Sequence, residues 1–340
     1  MTQQVVVVAG PGETQDVVLS AVAAVGLPGR VVTGVEELGR LWRDAATVFV
    51  ADDQAGRVAA QALPVREGVF LVGRDDELLA RWSAPLGARV IPLPAGVAWL
   101  GVVLAGSAAA RAPVVAVIGG SGGVGASTVA ATLACLGADR PGAAALVDTD
   151  PLGGGIDLLL GAEREAGWRW PRLSGADGHV GELRRYLPVV DGVSLVSMAR
   201  GPALDLAREP LAAIVGSLRR EHALVVLDPG RGLGAAGREA IRLAGLRVLV
   251  VAGSVRGLAS ARETVGALQL ERVVAVVRPG RTGLGAGQVA DALELEVVAT
   301  LREDRRLAAA AERGEPPLRA GRAYRRGCEK LLRRVLQGSG

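Results

Sequence analysis

The residues best suited to chemistry lie in a glycine-rich turn between an apolar strand and a helix. The turn and the start of the helix consist of Gly120, Ser121, Gly122, Gly123, Val124, Gly125, Ala126, Ser127 and Thr128. Glycines allow the backbone N–H groups to point inward and cradle phosphate oxygens, and the positive end of the helix dipole adds to this. The spacing matches a Walker A loop, in which Ser127 would bind Mg²⁺ and Thr128 an inner phosphate. A glycine turn with another use, such as a dinucleotide loop, is the alternative.

One position of the loop departs from the Walker A pattern. Ala126 stands where the phosphate-binding lysine belongs, and no neighbouring lysine replaces it, because Lys330 is the only lysine of the chain. We therefore expect a nucleotide-binding fold that lacks its usual cation.

Three aspartates follow apolar strands in the same part of the chain. Asp148 and Asp150 flank one residue after Ala145–Val147, and Asp228 ends the run Ala223–Leu227. A carboxylate at such a strand end can orient an attacking water or hold water on Mg²⁺. Asp150 is the candidate catalytic residue, Asp228 the candidate magnesium residue acting through water, and Asp148 a second candidate ligand. A single aspartate at a strand end would usually be a turn former.

The elements that must position these residues alternate between strand and helix along the whole chain. Five strand–helix units fill residues 1–106, residues 107–113 read as a linker, and the rhythm restarts over 114–340. The strands are near-continuous apolar runs, as expected where helices cover both faces of a sheet. The sequence predicts an α/β protein: a receiver-like, flavodoxin-like doubly wound domain followed by a P-loop NTPase domain with a mostly parallel sheet.

The first domain resembles a response-regulator receiver in size and order. Receivers carry an acidic pair after the first strand, where this chain has Ala9–Gly12, and a lysine after the fifth, where it has Pro92–Pro94. Asp52 and Asp53 follow the third strand, near the usual phospho-acceptor. Without the acidic pair no Mg²⁺ would neutralise an incoming phosphoryl group. We expect a degenerate receiver that docks or dimerises.

The order of the motifs in the second domain resembles the MinD/ParA group of P-loop ATPases. The group's loop reads lysine-Gly-Gly-Val-Gly-lysine-Thr-Thr, and here Ser121 and Ala126 replace the two lysines. This loop behind a degenerate receiver resembles the CpaE/TadZ branch. Residues 161–173 are similar to the branch's actinobacterial members, the septum site-determining (Ssd) or CpaE-like proteins. Residues 300–316 resemble the group's late nucleotide-side loop and helix.

The resemblance implies ATP and Mg²⁺ as cofactors and a homodimer. It also implies a positioning role in septum site selection and cell division, or in assembly of a Flp-type pilus or secretion apparatus, with proteins of that machinery as partners.

Loss of both lysines predicts slow or absent hydrolysis, since such transition-state charges contribute on the order of 10²–10³ in rate per group. Arg231 and Arg256 are candidate substitutes. Arg278 stands where the group often has a base-reading Asn, so the base specificity is open. The alternative is a dimeric scaffold without a nucleotide cycle that docks partners through the pseudo-receiver.

Charge and composition limit the classes of protein to which the chain can belong. Two cysteines exclude a disulfide scaffold, and the N-terminus lacks the features of a signal peptide, so we expect a cytoplasmic protein. The basic excess lies in a C-terminal helix within 319–337, and the body is close to neutral, so we expect no specific nucleic-acid binding. The apolar stripe of this helix is expected to pack on the fold. Weak contact with the inner face of the membrane is the alternative.

Overall fold

The chain folds into two compact units, Met1–Ala110 and Arg111–Ser339. The computed structural model describes residues 4–42, 45–66, 68–108, 112–176, 180–202, 204–280, 283–317 and 320–337.

The first unit is a parallel five-stranded sheet with the order β2-β1-β3-β4-β5. Its strands are β1 (Val5–Val8), β2 (Gly29–Val31), β3 (Thr47–Ala51), β4 (Val69–Gly73) and β5 (Arg89–Pro92). Its helices are α1 (Glu13–Ala24), α2 (Val35–Leu41), α3 (Asp52–Ala59), α4 (Asp76–Leu86) and α5 (Val97–Ala108). Alternate residues of the strands enter two separate apolar clusters, so both sheet faces are covered.

The two units divide between Ala110 and Arg111, within the predicted linker 107–113. Helix α5 continues through Ala108, so the first two residues of that segment are helical. Residues 109–111 lie outside the described ranges. Ala112 already donates a backbone hydrogen bond to Arg219 O, and Pro113 O accepts one from Val225. Both ends of the predicted linker therefore belong to ordered structure.

The second unit is an eight-stranded sheet with the order β13-β12-β11-β6-β10-β7-β9-β8. Its strands are β6 (Val114–Gly119), β7 (Ala144–Asp148), β8 (Val189–Val190), β9 (Val193–Val196), β10 (Leu224–Asp228), β11 (Leu246–Gly253), β12 (Val273–Pro279) and β13 (Glu296–Thr300). All pairs are parallel except β8 with β9. The carboxyl ends of the parallel strands meet at one edge, which carries the candidate site.

Helices cover both faces of this sheet and form its two apolar clusters. They are α6 (Ala126–Ala138), α7 (Ile156–Leu159), α8 (Arg208–Glu221), α9 (Ala235–Leu243), α10 (Val255–Leu268), α11 (Ala286–Leu293), α12 (Arg305–Glu312) and α13 (Arg322–Gln337). Three elements of the described ranges were not predicted from the sequence: the short strand β8, the single-turn helix α7 and a 3-10 helix at Arg184–Tyr186.

Helix α13 packs its apolar stripe on the fold. Tyr324, Cys328, Leu331 and Val335 are all buried, in the cluster that also contains residues of α6 and β13. The stripe that could have entered a lipid surface is thus covered by protein, which is the packing expected from the sequence. No helix in the described ranges is both long enough and apolar enough to cross a bilayer.

Candidate functional site

The glycine-rich loop joins β6 to α6 at the carboxyl edge of the second sheet. Gly123 and Gly125 have φ values of 70° and 89°, which side chains rarely adopt. Gly120 donates its N–H to Val250 O at 2.9 Å, and a Cβ there would lie 2.9 Å from that of Ala261. Close packing against β11 and α10 therefore fixes the start of the loop.

The other residues of the loop differ in their exposure to solvent. Ser121 is half-buried, and Gly122 and Gly123 are exposed, whereas the side chain of Val124 is buried in the core. Ala126 begins α6, and its methyl group packs against the same core. Position 126 supplies a backbone amide to the helix N-terminus and no cation.

The sheet brings the hydroxyls of the loop and all three aspartates to one cavity. Strands β7 and β10 are neighbours, and Asp148 pairs directly with Asp228 in their register. A cavity of about 290 Å³ opens at this edge. The predicted site residues in its lining are Ser127, Thr128, Asp148, Asp150 and Asp228.

Asp148 is a buried carboxylate held by backbone amides. Its Oδ1 accepts a hydrogen bond from Asp150 N and its Oδ2 one from Ile156 N, both at 3.0 Å. Burial and the adjacent Asp228 raise its pKa to about 7, and the two hydrogen bonds oppose the rise. Trp170 Nε1 donates to Asp148 O at 2.9 Å and fixes this strand end.

Asp228 is as buried as Asp148, but within the described ranges its carboxylate lacks a hydrogen-bond partner at one oxygen. Burial raises its pKa to about 6, against the hydrogen bonds that its carboxylate accepts from the Ser127 hydroxyl and the Gly230 amide. Its Oδ1 has no hydrogen-bond partner among the described residues. Such an atom costs free energy unless a further group satisfies it.

Asp150 lies at the mouth of the cavity and is half-buried. Its Oδ1 accepts a hydrogen bond from Leu152 N at 3.0 Å, which leaves Oδ2 directed toward Gly230. This carboxylate is positioned by a local turn and still faces the cavity, where it could orient a water molecule.

The arrangement fits a magnesium ion bound through oxygen. Two buried carboxylates side by side repel each other when ionised, one of them has an unsatisfied oxygen, and a hydroxyl lies beside it. Mg²⁺ prefers such oxygen donors, keeps several of its waters and is usually shared with phosphate groups. The residues that would hold it are Ser127 and Asp228, with Asp148 behind them, and the loop amides would bind the phosphates.

One feature of the site, the ion pairs of Asp157, was missed from the sequence, whereas the family resemblance of residues 300–316 indicated the other, the approach of α12. Asp157 is fully buried next to the turn that holds Asp148, and it is paired with Arg169 at 2.8 Å and Arg200 at 2.7 Å. Helix α12 brings Glu312 to the cavity from a distant part of the chain. The only sequence signal for these ion pairs was the acidic residue Asp157 inside the apolar run 156–160. It did not identify the two arginines as its partners.

Arg278 lies at the glycine-rich loop. It is the penultimate residue of β12, and its Nη1 donates to Val124 O at 3.2 Å. Arg231 and Arg256, the candidate substitutes for the lysine, are exposed, and neither forms a hydrogen bond or ion pair with any residue in the described ranges.

The receiver-like unit uses its own strand-end aspartates to hold loops. Asp52 Oδ2 accepts hydrogen bonds from Arg74 N at 2.8 Å and Asp75 N at 3.1 Å. Asp53 Oδ2 accepts one from Gly10 N at 3.1 Å. Backbone amides thus donate hydrogen bonds to the carboxylate oxygens of Asp52 and Asp53, near the position of the usual phospho-acceptor.

Sequence and fold comparisons identify relatives of both units. A family model described as "Rv3660c-like, CheY-like N-terminal domain" matches residues 7–115. The Mycobacterium tuberculosis H37Rv protein Rv3660c is 37% identical over 295 residues, which cover 82% of this chain and 83% of that protein.

Solved structures share the fold of the second unit at low identity. The septum site-determining protein MinD from Pyrococcus horikoshii, solved with Mg-ADP, has a TM-score of 0.58 at 17% identity, covering 67% of this chain and 98% of that one. A ParA family ATPase from Chlorobium tepidum has a TM-score of 0.58 at 14% identity, covering 67% and 99%. The chain therefore combines a CheY-like N-terminal domain with a MinD/ParA-like P-loop domain.

Proposed function

The chain belongs to the Rv3660c-like family, and we propose that this protein is a Mg²⁺-dependent ATP-binding regulator of the positioning type. One observation carries the proposal: the unsatisfied Oδ1 of Asp228 lies beside Asp148 and the Ser127 hydroxyl, at the end of the glycine-rich loop. A cation would satisfy that oxygen and relieve the repulsion between the two carboxylates. The MinD structure solved with Mg-ADP shows that this fold accepts such a ligand in a relative.

We infer that hydrolysis is slow or absent. Asp150 can orient water at the cavity mouth, but Ser121 and Ala126 bring no charge to the transferred phosphoryl group. Electrostatic stabilisation of that group is the main catalytic contribution in phosphoryl transfer. Binding and release of nucleotide would then set the state of the protein more than turnover does.

We also propose that the nucleotide edge is a homodimer interface. Three apolar side chains follow the strand ends β7, β10 and β11 and are exposed: Leu152, Leu233 and Val255. They surround the strand ends that carry the carboxylates and the loop, so a second copy covering them would also close the cavity. Burying such a side chain contributes about 1.5–3 kcal/mol when burial is complete.

We infer the biological role from the proteins to which this chain is similar. The MinD neighbours are described as cell division and septum site-determining proteins, and one is solved as a MinC:MinD complex. We propose that this chain acts in the cytoplasm or at the inner face of the membrane, as a CpaE-like regulator of division or of pilus and secretion assembly. Its pseudo-receiver would dock the partner protein.

A titration with a fluorescent ATP analogue tests the proposal. Wild-type protein should bind saturably with Mg²⁺ and at least about 10-fold more weakly without it. Ser127→Ala should lose most of the Mg²⁺ dependence. Ser260→Ala, a hydroxyl on α10 outside the cavity lining, is the matched control. No binding at millimolar nucleotide would instead favour the scaffold without a nucleotide cycle.

A further inference from the structure

The side chain of Arg278 reaches the glycine-rich loop at Gly125. A Cβ on Gly125 would collide with Nη1 of Arg278, so the guanidinium lies directly against the Gly125 Cα. The same nitrogen donates to Val124 O at 3.2 Å. The side chain therefore crosses from β12, two strands away from β6, to reach the loop.

The charge of Arg278 has no carboxylate partner in the described ranges. Its one hydrogen bond goes to the Val124 carbonyl, and no ion pair forms with a described residue. A guanidinium has five N–H groups, so most of its donors are free for a ligand or water. The residue is half-buried, and leaving a cation unpaired there costs free energy.

Two further side chains close to the guanidinium are neutral. Arg278 lies near Tyr324 and Cys328 of α13, where burial raises the pKa of the Cys328 thiol to about 12, and the hydrogen bond from Tyr324 and the Arg278 charge oppose that rise. Both groups are therefore uncharged near neutral pH and do not balance the arginine. An anionic ligand at the loop would therefore find a guanidinium that no described carboxylate neutralises.

The loop itself indicates which anion fits. Gly125 directly precedes Ala126, the position that lacks the lysine, in the loop that we propose to bind the phosphates. A planar guanidinium matches phosphate oxygens and holds them through paired N–H groups.

We propose that Arg278 is the cation of the nucleotide site, bracing the Val124 carbonyl with one N–H and offering the others to the polyphosphate of the bound nucleotide. This inference rests on the proposed function. It assigns the missing charge to a residue 154 positions away from the carbonyl that it braces. It also assigns Arg278 to the phosphates, although the residue stands at the position of a base reader.

Competition against a fluorescent ATP analogue tests the assignment, with Mg-ATP and Mg-tripolyphosphate as the two probes. Arg278→Gln keeps a donor for Val124 O and removes the charge, whereas Arg278→Lys keeps the charge. We expect Arg278→Gln to weaken both probes by roughly 10-fold to 100-fold, as for loss of a charged hydrogen bond. Arg278→Lys should retain most of the affinity. Arg326→Met, an exposed arginine on α13, should change neither.

Each other outcome overturns the inference, and two of them leave the proposed function intact. Unchanged affinity for both probes in Arg278→Gln would show that the guanidinium does not contact the ligand. A loss for Mg-ATP without a loss for tripolyphosphate would place it on the base or ribose. Failure of wild-type protein to bind Mg-ATP would remove the proposed function and this inference together. A thermal midpoint recorded for each variant separates lost binding from lost folding.

Discussion

At the scale of single residues, the site depends on two carboxylates that the fold forces together. Asp148 and Asp228 are paired in the register of β7 and β10, and both are buried. The sequence identified both as strand-end acids. It could not show that one oxygen of Asp228 would lack a partner, because that depends on which amides surround it in three dimensions.

Asp228→Asn should stabilise the nucleotide-free protein and impair its ligand binding. The substitution removes one of two repelling charges. It also offers an amide N–H₂ group in place of a carboxylate oxygen that receives no hydrogen bond from a described residue. We expect a gain on the order of 1–2 kcal/mol at pH 8, measured by chemical denaturation. Affinity for Mg-nucleotide should fall by roughly 10-fold or more. Asp291→Asn, an exposed carboxylate on α11, should alter neither quantity.

The same pair predicts an unusual dependence of stability on pH. The folded-state pKa values of Asp148 and Asp228 are raised to about 7 and about 6 from an ordinary 3.8. Their contribution to stability is therefore complete below about pH 4 and is lost as the pH rises through 6 and 7. The lowered pKa values of Asp157 and Glu221 act in the opposite sense, but only below about pH 4.5. Burial also lowers the pKa of His222 from 6.5, and this group opposes the carboxylate pair below about pH 6.5.

The thermal midpoint without nucleotide should thus decrease from pH 5 to pH 8 in wild-type protein and decrease less in Asp228→Asn. Mg-nucleotide displaces the protons, so its affinity should rise over the same range. The comparison with Asp228→Asn cancels the opposing contribution of His222, so an equal change of the midpoint in both proteins would contradict raised pKa values for this pair.

At the scale of elements, the short helix α7 holds the magnesium side of the site in place. Ile156 N donates to Asp148 Oδ2, and Asp157, the next residue, accepts from Ser197 Oγ at 2.9 Å and pairs with both arginines. Burial alone would raise the pKa of Asp157, but these hydrogen bonds outweigh it and hold the pKa below its ordinary value. The turn is therefore anchored through a buried ion-pair network.

Asp157→Asn should destabilise the protein by about 3 kcal/mol, because it leaves a largely buried Arg169 without its carboxylate. Arg200→Met should cost less, since 44% of the Arg200 side chain is exposed against 15% for Arg169. Urea denaturation gives both values, with Glu163→Gln on the exposed surface as the control. Asp157→Asn breaks both pairs, so equal effects of the two substitutions would show that the more buried pair with Arg169 adds nothing to stability.

The elements also show where sequence reasoning stopped. The long apolar strands and the loop before α6 have local patterns, and the sequence placed them. Strand β8 has two residues, and only its pairing with β9 through Ser194 and Val193 defines it. The contact of Arg278 with Val124 and the approach of α12 to the cavity join segments far apart in the chain, so no periodicity predicts them.

At the scale of the whole molecule, the nucleotide state is expected to control assembly. The exposed side chains of Leu152, Leu233 and Val255 give the site edge an apolar rim. With Mg-ATP, light scattering after size exclusion should report a dimer for wild-type protein. The double variant Leu152→Ser/Val255→Ser should stay monomeric and still bind nucleotide, since neither side chain lines the cavity.

Val65→Ser is the control for this experiment, because Val65 is comparably exposed but lies in the receiver-like unit. Loss of dimerisation in Val65→Ser alone would instead assign the contact to the first unit. A dimer whose stability is the same with and without nucleotide would fit the scaffold function better than the regulatory one.

Crystals grown with ATP and Mn²⁺ in place of Mg²⁺ test the central claim most directly, because manganese can be located by its anomalous scattering. The account predicts one manganese peak between the Ser127 hydroxyl and the Asp228 carboxylate, with the triphosphate inside the loop from Gly120 to Thr128. A loop that stays closed on its own side chains at saturating nucleotide, with no metal beside Asp228, would contradict it.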